Sequence, residues 1–291
     1  MRQTQRAACA VLLATAVIGV VGVGCRSGTT DQGLESSPAL WTAEQPFQVV
    51  DNSLSLGAYR SRGIAAVDRT WSGGDMVEAA AKLRQLVNRE PGRLPRSGSP
   101  RSGALFGRMT SADNLTSLQD PSLPVAIRLP SAIEFMGGLD ALFTLYLTEM
   151  QEQRVSGADI VELDGARLRT IEVVIALLET SLAEQRRDEP TRANRLAAFD
   201  RVRQGLYEVL SGILGSIADP RQLGVSSRRR LVGYCLQSLP RLAPKLEVKA
   251  RSDLLELIAR QSRDPHLENL RQQLSQLRDA VSGSVLATEL R

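Results

Sequence analysis

Apolar residues recur every three or four positions through the second half of the chain, and this spacing restricts the possible folds more than any other feature. Each stripe lies on one face of a helix, and the stripes cover residues 135–150, 168–182, 196–217 and 267–281. After residue 131, no alternating apolar and polar run is long enough to indicate a sheet. The sequence therefore predicts an all-α domain over residues 113–291, arranged as an irregular helical bundle or a short α-solenoid after an extended N-terminal arm.

Capping residues predict where several of these helices begin and end. Ser131 and Glu134 have the spacing of a capping box, so we expect a helix to begin at Ser131. Two long helices and three shorter ones follow, predicted over residues 166–187, 191–218, 226–239, 251–261 and 264–282. In the last helix, Asp264 is expected to cap the first turn and Gly283 to end the helix.

Residues 41–112 are predicted to form a poorly defined, extended arm that contains one helix. The run Ser72-Gly73-Gly74-Asp75 is typical of a helix start, and Pro91-Gly92 is expected to end that helix. Residues 91–112 contain three Pro, four Gly and four Arg with no acidic residue. This composition predicts a mobile, basic linker.

The N-terminus has the pattern of an export signal. Arg2 and Arg6 precede residues 7–24, which carry no charge and are rich in apolar and small side chains. This order is that of a secretory signal peptide, so residues 1–24 are not expected to belong to the mature fold. An uncleaved transmembrane anchor is the alternative, because eighteen apolar residues are at the lower limit for crossing a bilayer.

The residues at the end of this apolar segment indicate which kind of signal peptide it is. The run Val21-Gly22-Val23-Gly24-Cys25 resembles the lipobox of bacterial lipoproteins, although Gly22 stands where that family usually has Leu or another aliphatic residue. The resemblance implies that Cys25 is acylated and becomes the new N-terminus, with residues 25–40 as a flexible tether. It also implies export and lipid anchoring to a bacterial membrane, with several acyl chains giving durable attachment.

The C-terminal quarter of the chain has a second, weaker resemblance. Two Asp-Pro pairs, Asp219-Pro220 and Asp264-Pro265, enclose Pro240 and Pro244. This pattern of helix-breaking residues is similar to that of HEAT-type helical repeats. No fixed period runs through the domain. The resemblance implies stacked short helices in this region, and an irregular bundle remains the alternative.

The residue content restricts the chemistry that the chain can support. A single histidine, His266, cannot build a multi-His metal site, and no G-x-S-x-G nucleophile motif is present. Cys235 has core spacing among leucines and valines, which indicates a buried apolar role. Glu149 and Glu152 share one helix face and are expected to point to solvent. We therefore predict no catalytic residues, no metal and no cofactor.

Charge is strongly segregated along the helical domain. Residues 131–185 contain ten acids and three bases, whereas residues 220–246 contain six bases and no acid. The two segments can pack against each other, or the run Arg228, Arg229 and Arg230 can face anionic lipid headgroups or an acidic partner. Three arginines in a first helical turn oppose the helix dipole, so some other contact is expected to compensate.

These observations predict a non-enzymatic, lipid-anchored envelope protein with a helical interaction or scaffold domain. The membrane is its first partner, through acyl chains on Cys25, and other envelope proteins are the expected second partners. Nucleic acid is not expected, because the formal charge of +4 falls to +2 once the signal peptide, with two arginines, is removed. The alternative function is a helical-bundle carrier of an apolar ligand or lipid, held between the two long helices.

Overall fold

The structure is a computed structural model that describes residues 70–99, 102–184 and 192–289. Within those residues every regular element is a helix and there is no strand, which confirms the predicted all-α class. None of the described helices is both long and apolar enough to cross a bilayer. The predicted signal peptide, Cys25, the tether and the first part of the arm lie outside the described residues.

The helices follow one another with short connections. In chain order they are α1 (Gly73–Arg89), α2 (Gly103–Thr110), α3 (Thr116–Gln119), α4 (Val125–Gln151), α5 (Gly157–Glu184), α6 (Arg192–Ala218), α7 (Val225–Leu242), α8 (Val248–Arg263) and α9 (Arg271–Glu289). Short 3₁₀ turns join some of them, at Ala112–Leu115, Ala243–Lys245 and Pro265–Leu270.

The predicted start of α1 is confirmed by its cap. The backbone N–H of Asp75 donates to Ser72 Oγ at 3.2 Å, and the backbone N–H of Ser72 donates to Asp75 Oδ2 at 2.8 Å. These two bonds complete a capping box and satisfy amides that a helix leaves without intrahelical partners. The helix ends at Arg89, two residues before Pro91, as the sequence predicts.

The predicted start of α4 at Ser131 is wrong. The helix begins six residues earlier, at Val125 after Pro124, and Pro130 lies inside it. Ser131 Oγ donates to the carbonyl of Ile127 at 3.1 Å, so its hydroxyl serves the helix interior instead of capping an end. Ser131 with Glu134 has the right spacing for a cap, but the chain is already helical where the motif occurs.

Residues 91–112 differ from the predicted mobile linker, because the described part of this segment packs into the fold. Leu94, Leu105, Phe106 and Met109 are buried, and the last three lie on α2. Tyr146 Oη donates to the carbonyl of Pro95 at 2.6 Å. This segment therefore packs into the fold through its apolar side chains, and a count of its Gly, Pro and Arg residues does not reveal that packing.

The last predicted helix is confirmed in outline but not at its two ends. Asp264 Oδ1 accepts the backbone N–H of His266 at 2.9 Å, as predicted, yet the turn it caps is 3₁₀ and α9 begins only at Arg271. Gly283 does not end the helix, which continues to Glu289. Positive φ, the backbone conformation of a glycine C-cap, occurs among described glycines only at Gly92 and Gly98.

Helices α5 to α9 stack in two layers. In one layer α5 packs on α7 and α7 on α9, while α6 packs on α8 in the other. Arg203 Nε donates to the carbonyl of Lys245, just before α8, and Gln261 Nε2, near the end of α8, donates to the carbonyl of Leu214, so α6 and α8 run parallel. The described helices therefore form an all-α bundle in which alternate helices stack on one another. Helices α1 and α4 extend this core beyond α5.

Candidate functional site

The interface between α5 and α7 is where the acidic and basic segments of the sequence meet. Two ion pairs cross it, Glu162 Oε1–Arg230 Nε at 2.5 Å and Glu172 Oε2–Arg241 Nε at 3.0 Å. A third pair, Glu179 Oε1–Lys245 Nζ at 2.7 Å, joins α5 to the 3₁₀ turn that follows α7. The partners follow the same order on both elements, so α5 and α7 run parallel. Of the two alternatives for the basic segment, packing against the acidic segment is the one the structure shows.

These ion pairs are partly exposed, and their main contribution is to register. The side chains of Arg230 and Arg241 are more than half exposed, and such pairs typically contribute about 0–1 kcal/mol each. Tyr234 Oη also donates to Glu162 Oε2 at 2.7 Å. Burial raises the pKa of Tyr234, and its bond to Glu162 raises it further. Together these contacts fix which turn of α7 faces which turn of α5.

The close approach of the two helices depends on a glycine. An added Cβ at Gly165 of α5 would lie 2.7 Å from the ring of Tyr234 on α7. A methyl group cannot occupy that position unless the ring moves. Gly165 therefore lets the Tyr234 ring lie against the α5 backbone, beside the ion pairs.

The three arginines at the start of α7 have different environments. Arg230 pairs with Glu162 as described, whereas Arg229 is exposed. Arg228 is buried, with 4% of its surface exposed, and its Nε and Nη1 atoms have no hydrogen-bond partner. The run predicted as one anionic-partner contact is thus one surface residue, one bridging residue and one buried residue.

A cluster of buried charges lies deeper, where α4 meets α5. Arg167 Nε donates to Asp140 Oδ1 at 2.7 Å and Arg167 Nη1 donates to Asp164 Oδ1 at 3.0 Å. The Arg167 guanidinium also lies over the ring of Phe143, 4.0 Å from its centroid. All three charged side chains are almost completely buried. We refer to Asp140, Asp164 and Arg167 as the core triad.

The core triad contains two carboxylates and one guanidinium, and the Asp140 carboxylate is only partly paired. Its Oδ2 atom is buried with no hydrogen-bond partner. Burial raises the pKa of Asp140, and the adjacent Arg167 only partly opposes that rise. Burial disfavours the charged form of Arg167, but the two carboxylates outweigh it and raise the pKa of Arg167. The triad is therefore held together by its one cation.

Glu149 is buried, which contradicts the expectation that it points to solvent. Its Oε2 accepts Arg154 Nε at 2.7 Å and the backbone N–H of Gly92 at 2.7 Å. The bond from Arg154 lowers the pKa of Glu149 against the effect of burial, and the Gly92 N–H lowers it further. Glu152, on the same face, is largely exposed as expected. The two carboxylates differ because only Glu149 meets the α1–α2 connection.

The remaining candidates take ordinary positions. Cys235 is a free, fully buried thiol, as predicted, and burial raises its pKa, with Asp164 adding to the rise. His266 is exposed at the start of the 3₁₀ turn before α9. Within the described ranges, no group of three or more His, Cys, Asp or Glu side chains could hold a metal ion.

Sequence reasoning missed the core triad and the burial of Arg228. A signal for the first was present, since Asp164 and Arg167 are spaced i, i+3 and Arg167 adjoins Leu168 of the apolar stripe. The long-range partner Asp140 had no such signal. Comparison with known protein families, with curated proteins and with solved structures gives no match.

Proposed function

We propose that this chain is a lipid-anchored bacterial envelope protein whose helical body is a non-enzymatic interaction or scaffold domain. The observation that carries the proposal is the run Val21-Gly22-Val23-Gly24-Cys25 at the end of an apolar segment that follows Arg2 and Arg6. Acylation at Cys25 would leave residues 26–72 between the lipid and the first described helix, with the predicted polar tether, residues 25–40, next to the membrane. The helical body would then stand off the membrane surface.

The helical stacking supports an interaction role for that body. Stacked helices present long continuous surfaces, and proteins of this architecture use such surfaces for binding. On the α7 side, Arg221 and Arg229 are exposed and make no side-chain ion pair in the part of the chain that the structure describes. These two arginines, rather than the whole Arg228 to Arg230 run, are the residues we assign to contact with an acidic envelope partner.

The anchor is tested by replacing each of the two N-terminal cysteines. We expect Cys25→Ala to abolish acylation, because the thiol that carries the lipid is gone, and to move the protein from the detergent phase to the aqueous phase in a phase-partition assay. Cys9→Ala is the matched control and should leave both properties unchanged, since Cys9 lies within the cleaved signal. Mass spectrometry of the mature N-terminus is the direct measurement. An unmodified Cys25 in the wild-type protein would contradict the anchor.

The partner contact is tested by charge reversal at the two exposed arginines. We expect Arg221→Glu and Arg229→Glu each to weaken crosslinking to envelope partners by about two- to fivefold, the equivalent of one surface ion pair. The loss should be smaller at high salt, because exposed charges are screened. Reversal of Arg228 or Arg230 is not informative, since one is buried and the other holds α5 to α7.

Arg84→Glu is the matched control for these reversals. Arg84 is exposed on α1, and the same change of charge there should leave crosslinking unchanged. Equal losses in all three variants would indicate a net-charge effect and would contradict a specific contact at α7.

A carrier of an apolar ligand remains the alternative function. It predicts a molecule held between α5 and α6, and native mass spectrometry of the purified chain would detect it as a noncovalent adduct. A reproducible lipid adduct on Cys25→Ala protein would favour the carrier over the scaffold.

A further inference from the structure

Arg228 is a buried cation without a counter-charge in the described part of the chain. Leaving a guanidinium buried and unpaired is costly. Its Nε and Nη1 atoms are closed to solvent and make no hydrogen bond. A folded protein that retains this arrangement has a donor group for which an acceptor is missing.

The acidic residues on adjoining segments have other partners. Glu162 accepts from Arg230 and Tyr234, and Asp164 accepts from Arg167. Asp219, in the turn before α7, accepts the backbone N–H of Arg221 at 2.9 Å and Gln222 Nε2 at 3.0 Å. The missing acceptor for Arg228 is therefore not supplied by these carboxylates.

The N-terminus of α7 adds a second group of donors. Gly224 is the N-cap and supplies no side-chain hydrogen bond, and the first turn contains no acidic residue. The backbone N–H groups of the first turn of α7 are left without intrahelical partners, and the helix dipole makes this end of α7 positive. Long side chains on a helix lean back toward its N-terminus, so we expect the Arg228 side chain to extend toward the turn that begins at Gly224.

We propose that Arg228 and the first-turn amides of α7 form a binding site for a phosphate-type oxyanion. A guanidinium can hold two oxygens of such a group in its planar fork, while amides of a helix N-terminus hold another. Because Nε and Nη1 are closed to solvent, an oxyanion reaches them only when the groups that cover them move aside. The proposal does not depend on the lipid anchor.

Thermal unfolding tests the site with inorganic phosphate as the probe. The Cys25→Ala full chain is compared in phosphate and in chloride at matched ionic strength, so that only the specific ion differs. We expect the midpoint to rise at low phosphate concentrations, because an anion that binds only the folded state stabilises it there, whereas the general stabilising effect of phosphate on proteins requires high salt. An identical midpoint in the two salts over the whole concentration range would overturn the proposal.

Three variants locate the effect. Arg228→Met keeps the aliphatic stem and should lose the phosphate response, whereas Arg229→Gln, on the same turn but exposed, should keep it. Gly224→Asp places a carboxylate at the N-cap, where an added Cβ meets no atom within 4 Å. It should raise the midpoint in chloride and remove the phosphate response, because its carboxylate occupies the same amides. A phosphate response that persists in Arg228→Met or in Gly224→Asp would overturn the proposal, and the second variant decides if the first fails to fold.

Vesicles distinguish the source of the phosphate group. Phosphatidylglycerol vesicles are compared with inorganic phosphate, using the Cys25→Ala chain so that acyl chains do not cause binding. Vesicle binding that Arg228→Met loses and Arg229→Gln retains would identify a lipid headgroup as the ligand. A response to inorganic phosphate without Arg228-dependent vesicle binding would identify a soluble phosphate compound. Either result supports an oxyanion site at Arg228.

Discussion

Arg167→Met should destabilise the protein by about 3–5 kcal/mol, because it removes the one cation of the core triad and leaves two buried carboxylates without it. Asp140 and Asp164 both accept hydrogen bonds from Arg167, and Asp140 already has one oxygen without a partner. The guanidinium contact with the Phe143 ring is lost as well. The free energy of unfolding, measured with urea at neutral pH, checks this expectation.

The deficit should depend on pH in a defined direction. A carboxyl group whose pKa is raised by folding stabilises the fold in its neutral form, so that contribution is present at low pH and is lost as pH rises through the raised pKa. The pKa of Asp140 is raised by burial even with Arg167 present. Removing Arg167 should raise it further, so the Arg167→Met deficit should be smaller at about pH 5 than at about pH 8.

Two further variants separate pairing from general disturbance of the core. Replacing the whole triad with apolar residues of similar size, in Asp140→Leu/Asp164→Leu/Arg167→Met, should recover most of the lost stability, because no unpaired charge is left buried. Arg84→Met, at an exposed arginine of α1, should change the free energy of unfolding by less than about 0.5 kcal/mol. An Arg167→Met deficit below about 1 kcal/mol, or one that the triple replacement does not reduce, would contradict the assigned role.

Gly138→Ala and Gly137→Ala should change stability in opposite directions although they are neighbours in α4. An added Cβ at Gly138 would lie 2.7 Å from the backbone of Met76 and Val77 in α1, whereas one at Gly137 meets nothing within 4 Å. Forcing a methyl group against the α1 backbone should cost about 1–3 kcal/mol. At Gly137 the same change should stabilise by about 0.5–1 kcal/mol, because glycine is a poor helix former.

The glycine pair also reports where the damage falls. Gly138→Ala should increase amide hydrogen exchange in α1, since that helix must move away from α4 to make room, while exchange in α7 to α9 should change little. Gly137→Ala serves as the matched control for the loss of a helical glycine. Equal effects of the two substitutions on the free energy of unfolding would show that α1 does not depend on the close contact at Gly138.

Much of the helical fold follows from local pattern, because apolar spacing and capping residues act over a few turns of one segment. The capping box of Ser72 and Asp75 and the long helix α6 are examples. Predictions were wrong where packing against other segments of the chain overrode a local sequence signal. Ser131 has the spacing of a helix cap but lies inside a helix that starts at Val125. Residues 91–112 have the composition of a linker but contain α2, whose apolar side chains are buried.

Some features of the candidate site could likewise be predicted from the sequence, and others could not. Charge counts predicted that an acidic and a basic segment could meet, and the pairs from Glu162 to Lys245 show that they do. Counting could not distinguish Arg228, Arg229 and Arg230, because adjacent positions on a helix point in directions about 100° apart and meet different neighbours.

By itself, the sequence determined the helical class, the extent of the long helix α6 and the burial of Cys235. Those properties depend on periodicity within one segment, which is readable from the order of residues. Only the tertiary structure decided that Asp140 reaches Arg167, that Glu149 is buried and that Arg228 lacks a partner. Each of these depends on which helix covers which face, and that choice is made by contacts between segments far apart in the chain.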